Sequence, residues 1–465
     1  MSGLNRELVL DGLAYADRWL AYRQEAREMP GLVVAVQLDQ DLLLSKAYGS
    51  ANLDGHIALT PQHIFRVASH SKMFTATAIM QLVEQGRLRL DDSLATHIPW
   101  LQSLEELAAV TVRQVLNHSA GIVRDGSDAD YWQLEKPFPD GDELRRLAED
   151  GAAVMHANET FKYSNIGFSL LGLVIEATGG LPYNAYVKRH IVDRLGLADT
   201  GPEPDGCVLD RLVSGHSARR FGRPRRTIPH IDTRAMSPAT GFYSTAEDLC
   251  RFGAAQFRGN VQLLSDASKR EMQQPYWKIE QAEAHYGLGF SVQTIGERRV
   301  VGHNGGFPGQ STSTMIDPVD QLVVVVLINA NEANMIAAPI ATAMVKIIDF
   351  ALKQPGASVD ASVSPREAFI GRFYNMWGPV DVVAFGNALV AVSPDADDPV
   401  QRVTELRVVD EDSLRITSTN GYGSPGEAVR YVRDASGAAT AIVSGGMHAY
   451  PEEIFRERLL RPTGA

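Results

Sequence analysis

The stretch Phe65-Arg66-Val67-Ala68-Ser69-His70-Ser71-Lys72 sets a serine three residues ahead of a lysine, at the head of an apolar segment. Phe74, Ala78, Ile79, Leu82 and Val83 recur behind it at helical spacing and Gly86 closes the run, which predicts a helix with Ser69 at its start. On a helix, residues three apart share one face, about a turn from each other. The chemical reason for such a pair is direct. A serine hydroxyl is a weak nucleophile and needs a base within hydrogen-bond reach. A lysine serves when burial or a neighbouring cation lowers its pKa from about 10.4 towards neutrality. An N-capping serine followed by an exposed lysine has the same spacing, so the pair acquires meaning only together with other residues.

Two further stretches supply them. Tyr163-Ser164-Asn165 precedes the apolar run Ile166–Ala177, which reads as a helix. A tyrosine can pass protons when nearby cations acidify its phenol, and an asparagine can bind both an ammonium group and a substrate amide. His303-Asn304-Gly305-Gly306 follows the strand-like segment Arg299–Val301. Its missing side chains would let a ligand backbone approach, and its amide N–H groups could complete an oxyanion hole. His118, ahead of Ser119-Ala120-Gly121, reads as a structural histidine. His70 and Ser71 point off the Ser69–Lys72 face and read as packing residues. The chain has no Gly-x-Ser-x-Gly elbow, no His-Glu-x-x-His helix and no phosphate loop.

Around these motifs the elements alternate. Leu4–Met29 is predicted as an amphipathic helix with Leu8, Leu13, Ala16, Trp19 and Leu20 on its apolar face. Leu32–Leu38 and Leu42–Tyr48 form a hairpin turning at Asp39–Asp41. Helices and loops continue to about Leu249, strands return from Arg298 to Ala330, and Ile336–Leu352 is helical. Val323–Ile328 is an unbroken apolar, mostly β-branched run, as in a strand covered on both faces. The fold class is therefore α/β (α+β), a sheet interrupted by a helical lobe, with a cleft between them as the ligand site. Lys353–Pro365 reads as a linker. Six short alternating segments follow (Val380–Val383, Ala388–Val392, Val403–Val408, Ser413–Thr417, Ala428–Val432 and Ala439–Val443), punctuated by Gly386-Asn387, Asn420-Gly421 and Ser436-Gly437. They predict a small all-β domain, an antiparallel barrel or sandwich, over 366–465, so the chain divides into 1–352, a linker at 353–365, and 366–465. In the turn Asn420–Gly426, Tyr422 is a candidate for reaching a neighbouring surface.

The order and spacing of the three motifs resemble the serine β-lactamase-like, penicillin-binding superfamily: class C β-lactamases, D-Ala-D-Ala carboxypeptidases, D-aminopeptidases and esterases. Val115–Gly121, Gly241–Leu249, Tyr286–Phe290 and Gly302–Gly309 share the resemblance, which covers about residues 10–350. It implies a β-lactamase-like antiparallel sheet with a helical lobe. It also implies catalytic roles for Ser69, Lys72, Tyr163 and His303, and substrate binding by Asn165, Asn304, Gly305 and Gly306. Backbone N–H groups of Ser69 and Gly306 would stabilise the oxyanion. Phe373-Tyr374 and Trp377-Gly378 make the barrel resemble the lipocalin-like appendage of some D-amino-acid peptidases in that superfamily, where it narrows the cleft.

One departure carries weight. His303-Asn304-Gly305 stands where β-lactamases have Lys-Thr-Gly, and a histidine near its reference pKa of about 6.5 is largely uncharged at pH 7. The site is expected to hold a free substrate carboxylate less strongly. The resemblance then implies a peptidase, aminopeptidase or amidase working through an acyl-enzyme, on substrates that include D-amino acids. An esterase is the near alternative, with a ligand-binding sensor and an acyltransferase further off. Whether Lys72 or Tyr163 is the base is left open. No cofactor or metal is implied.

Composition fits this reading. The formal net charge of −12 argues against nucleic acid, since phosphate backbones are held by clustered Lys and Arg. The one basic run, Arg219 to Arg226, is interrupted by Gly222 and Pro224 and reads as a solvated loop. No apolar run reaches the roughly 20 residues that span a bilayer. The expected partner is a small-molecule or short-peptide substrate, without nucleic acid or membrane, and homo-oligomerisation is left open. Without a visible signal peptide the expected location is cytoplasmic. Cys207 and Cys250 are expected to be two buried thiols.

Overall fold

The structure is a computed structural model that describes residues 3–280, 282–331, 336–355, 366–419 and 424–459. The linker from 356 to 365 and the loop tip from 420 to 423, with Tyr422, lie outside the described residues. Two compact units emerge. One runs over Glu28–Ala341; the other joins Gly3–Arg27 to Thr342–Ala465. The N-terminal helix therefore belongs to the unit that carries the barrel, which differs from the 1–352 and 366–465 division.

The first unit is built on a nine-stranded antiparallel sheet. Its strands are β1 (Gly31–Leu38), β2 (Asp41–Asn52), β3 (Ile57–Ala58), β4 (Trp277–Ile279), β5 (Ala284–Tyr286), β6 (Ser291–Ile295), β7 (Arg298–Phe307), β8 (Gln310–Asp317) and β9 (Leu322–Ile328), in the order β3-β2-β1-β9-β8-β7-β6-β5-β4. Chain-distant β1 and β9 pair in the middle, Val34 opposite Val326. Every residue of both is buried, as the β-branched run at Val323–Ile328 predicts. His303 to Gly306 are part of β7, paired with Ser311 to Thr314 of β8, and do not form a loop beside a strand.

The residues between β3 and β4 form the helical lobe. α1 (Arg6–Ala26) belongs to the other unit. α2 (Ser71–Glu84) is buried from Ser71 to Leu82 on all sides, where the sequence predicts one apolar face. Its Phe74 ring stacks between Phe242 and Phe252, with centroids 4.2 and 4.0 Å away, and burial of such a ring stabilises by about 1.5–3 kcal/mol. Gly86, at φ +67°, follows its end. α3 (Asn165–Gly179) is capped by Ser164, whose Oγ accepts from the Gly167 N–H at 2.8 Å, and it stops at Gly180 with φ +73°. That cap puts Asn165 on the first helical turn and Tyr163 just outside it. Cys250 is buried but Cys207 is exposed, so the expectation of two buried thiols fails for Cys207; both are free.

In the second unit, α1 is capped by Asn5, and its predicted face of Leu8, Leu13, Ala16, Trp19 and Leu20 is buried. Trp19 Nε1 donates to the Pro394 carbonyl at 3.1 Å, and Tyr15 meets Phe385 edge-on at 5.7 Å. The barrel has eight strands: β10 (Gly371–Asn375), β11 (Gly378–Phe385), β12 (Ala388–Val392), β13 (Thr404–Asp410), β14 (Ser413–Thr419), β15 (Ala428–Arg433), β16 (Ala439–Ser444) and β17 (Met447–Ala449). All are antiparallel neighbours in chain order. Paired Tyr374 and Tyr450 amides and carbonyls, at 2.7 and 2.9 Å, bring the first strand round to the last. Phe369, Phe373, Leu414 and Tyr431 fill its interior.

Candidate active site

Ser69 sits in a 3-10 turn, Ala68–His70, that feeds directly into α2, two residues ahead of the α-helix proper. Ala68 has φ +48°, a left-handed conformation that costs a residue with a Cβ of order 1 kcal/mol. Several contacts hold it there. Ser71 Oγ donates to the Ala68 carbonyl at 2.6 Å and accepts from the Phe242 N–H at 3.0 Å. His70 Nδ1 lies 2.8 Å from the Val67 carbonyl, and its Nε2 lies 2.9 Å from Thr314 Oγ1 on β8. A carbonyl accepts only, so Nδ1 carries the proton and Nε2 accepts from the threonine. Burial lowers the His70 pKa to about 4, which keeps that neutral tautomer. His70 and Ser71 are thus clamps for the nucleophile turn, as packing residues should be.

Lys72 is wholly buried. Its Nζ is 3.3 Å from Ser69 Oγ, 2.7 Å from Asn165 Oδ1 and 2.8 Å from the Ala239 carbonyl. Burial, with a smaller contribution from Arg124, holds its pKa well below the usual lysine value, against the pull of Asp125. Tyr163 donates its hydroxyl to Ser69 Oγ at 2.9 Å. Burial pushes its phenol up, more than the Ser69 hydrogen bond and Arg124 bring it down. Nearby cations therefore do not acidify this tyrosine: the lysine is eased towards its neutral form and the tyrosine is kept in its own.

Asn165 bridges outward. Its Oδ1 takes Lys72, and its Nδ2 donates to Asp125 Oδ1 at 2.7 Å, so its amide is engaged by protein on both ends. Asp125 Oδ1 also accepts from Trp132 Nε1 at 3.1 Å, and its Oδ2 takes Arg124 Nε at 3.0 Å.

His303 faces a different set. Its Nε2 is 2.9 Å from the Tyr286 hydroxyl and its Nδ1 is 2.6 Å from the Asn304 carbonyl. Nδ1 therefore donates and Nε2 accepts from Tyr286. Burial, then Lys72, lowers its pKa to about 3. The imidazole is uncharged, and neither nitrogen is bonded to Tyr163, whose ring centroid is 6.4 Å away. His118, buried between Tyr163 and Tyr286 at 4.3 and 4.6 Å, accepts the Ser164 N–H on Nδ1 at 3.2 Å and positions the turn that presents Tyr163.

One cavity of about 440 Å³ opens beside these residues. Trp132, Phe161, Tyr163 and Tyr286 give it an aromatic side, and Ser69, Asn165, His303, Asn304 and Gly306 a polar one, with Arg124 and Asp125 at their join. Asn304 Oδ1 accepts from Ser313 Oγ at 2.8 Å. Gly305 is not part of the lining. A Cβ there would lie 2.2 Å from the Val67 carbonyl and 2.3 Å from Thr312 Oγ1, so this glycine lets β7 press against the Ser69 turn and makes no room for a ligand. Sequence reading missed Tyr286, Asp125 and Arg124 as site residues. Tyr286 lay within a stretch carrying the resemblance. Arg124 and Asp125 are loop residues with no periodic signal, and only their position three and four residues after Gly121 could have drawn notice.

The beta-lactamase family model matches residues 16–347. The chain is similar to penicillin-binding protein 4* of Bacillus subtilis, 27% identical over 335 residues, 67% of this chain and 70% of that one. Among solved structures, the octameric penicillin-binding protein homologue from Pyrococcus abyssi is 22% identical with a TM-score of 0.65, covering 94% of this chain and 99% of its own. The D-amino acid amidase from Ochrobactrum anthropi SV3 is 22% identical with a TM-score of 0.61, covering 73% and 99%. These two likenesses are of fold, and the first extends over both units. The family model spans well over half of the chain, which therefore belongs to the beta-lactamase family of serine hydrolases.

Proposed function

We propose that the chain hydrolyses amide bonds of small or short-peptide substrates, as a peptidase, aminopeptidase or amidase, through an acyl-enzyme on Ser69. The observation that carries this reading is the partner set of Lys72. As an ammonium ion it has three hydrogens and three acceptors. As a neutral amine it keeps the Asn165 and Ala239 oxygens, and its lone pair falls on Ser69 Oγ. That is the geometry of a base taking the serine proton. Ser69 Oγ attacks the carbonyl carbon, Lys72 accepts the proton, and the tetrahedral oxyanion is met by the N–H groups of Ser69 and Gly306. Tyr163, protonated and bonded to Ser69 Oγ, hands a proton to the leaving amine and is reprotonated from Lys72. Water then attacks the acyl-enzyme by the same steps in reverse.

D-amino-acid amides are the first substrates to test, supported by the likeness to the D-amino acid amidase and by the uncharged His303 in place of a lysine. The octameric Pyrococcus homologue supports self-association, read by light scattering on the intact chain. The test is a fluorophosphonate probe followed by a panel of D- and L-amino-acid p-nitroanilides and p-nitrophenyl esters. Labelling of Ser69 with turnover of anilides is expected. Turnover of esters alone makes it an esterase, labelling without turnover a sensor, and new conjugates with an added amine an acyltransferase.

A further inference from the structure

The His303 position supplies no cation, yet the cavity contains one on its other wall. Arg124 is the one Lys or Arg side chain among the described residues lining it. Its guanidinium lies 5.5 Å over the Tyr163 ring, and the hydroxyl of that same tyrosine is on Ser69 Oγ. Its Nε lies 3.0 Å from Asp125 Oδ2 as an ion pair, and none of its guanidinium nitrogens donates a hydrogen bond to a described residue. The side chain is 65% exposed, so a ligand can reach it. Asp125 cannot act as a rival site for a substrate ammonium group. Both its oxygens are occupied, by Asn165, Trp132 and Arg124, and the guanidinium beside it repels cations.

We propose that Arg124 is a specificity residue that binds an anionic group of the substrate, a carboxylate, through its free Nη1 and Nη2 edge. Asp125 pairs with the guanidinium at Nε and leaves its Nη1 and Nη2 available to a ligand in the cavity that Arg124 lines. A guanidinium fork matches a carboxylate in two parallel N–H···O bonds, which a lysine does not reproduce. The expectation of weak carboxylate binding rested on the strand position alone; the charge has moved from the sheet wall to the loop after Gly121. The preferred substrates within the proposed hydrolase reading, on which this rests, then carry a carboxylate near the scissile bond.

The test uses the full chain and two reversible serine ligands, phenylboronic acid and 3-carboxyphenylboronic acid, with dissociation constants measured by calorimetry. Expected is about tenfold tighter binding of the carboxylate compound to the wild type. That preference disappears in Arg124→Gln, is partly kept in Arg124→Lys, and shrinks as salt is raised. The ratio between the two ligands is the readout, so a general loss of affinity in a variant does not mimic the effect. Equal affinities in the wild type, or a preference unchanged in Arg124→Gln, overturn the assignment and leave the hydrolase reading standing. If neither boronic acid binds the wild type, the nucleophile reading itself fails and takes the subsite with it.

Discussion

Two basic side chains at the site are pushed by burial towards neutrality: Lys72 on α2, beside Ser69, and His303 on β7. Their partners differ. Lys72 faces three acceptors, so it is satisfied with three hydrogens and also with two, leaving a lone pair for Ser69. His303 faces one acceptor, the Asn304 carbonyl, and one donor, the Tyr286 hydroxyl. It is satisfied only as the neutral Nδ1–H tautomer, and a second proton would point at a hydroxyl that must first turn round. Equal burial thus gives a group that can cycle a proton and a group that cannot. The inventory of partners, more than the residue type, separates base from scaffold.

The harshest way to break that contrast is at the nucleophile. Ser69→Ala should lose at least about four orders of magnitude in kcat, since a lost nucleophile commonly costs more than that. Its thermal midpoint should stay within a few degrees, because the His70 and Ser71 clamps remain. A tenth of the wild-type rate in purified Ser69→Ala would end the assignment. Next is Lys72→Met, which keeps the length and apolar stem. Fluorophosphonate labelling should slow by about a hundredfold or more, as expected for loss of a general base. Unslowed labelling would move the base elsewhere.

Tyr163→Phe sharpens the division further. As a proton donor to the leaving group, it should matter most where that group is poor. A loss of about tenfold to a hundredfold on amino-acid amides, with p-nitrophenyl esters much less affected, is the expected pattern. Equal losses on both would point to a role in the attack step.

The mildest effect is in the pH profile. kcat/KM should rise through one ionisation below the ordinary lysine range, with no inflection near pH 6.5, because His303 titrates near 3 and His70 near 4. Both imidazoles are depressed from an unfolded value of about 6.5. Between those limits the unfolded chain binds more protons, so their contribution to stability is full above pH 6.5 and is lost as pH falls towards 3. Thermal midpoints read from pH 8 to pH 4 should therefore drop below about 6.5. An inflection in rate at 6.5 with a flat stability profile would mean that His303 is the titrating group and the contrast is wrong.

Much of this was legible from sequence where the signal is local. Ser69 and Lys72 announce themselves by a spacing that any helix turns into proximity, and Tyr163-Ser164-Asn165 by an N-cap at the head of an apolar run. What escaped is carried by tertiary contact. The Ala239 carbonyl on Lys72 comes from 167 residues away and leaves no residue-type signature. Gly305 reads in the sequence as a gap left to a ligand, because a glycine in a strand signals close approach without saying of what. Six barrel strands had clear alternation. Gly371–Asn375 and Met447–Ala449 did not, being short and held by pairing to neighbours already in place.

The barrel, whose first strand is brought round to its last by Tyr374 and Tyr450, has a consequence for how copies of this chain can meet. Unpaired strand edges are templates that recruit other strands. Here that bridge covers the barrel's ends, and the large sheet terminates in β3 and β4, of two and three residues. β3 pairs with β2 only at Ser50 and Asn52, so most of the twelve-residue β2 forms the margin of the large sheet. Contacts made through the barrel would therefore rest on side chains, where single substitutions can dissolve them, whereas the large sheet could also be extended along β2.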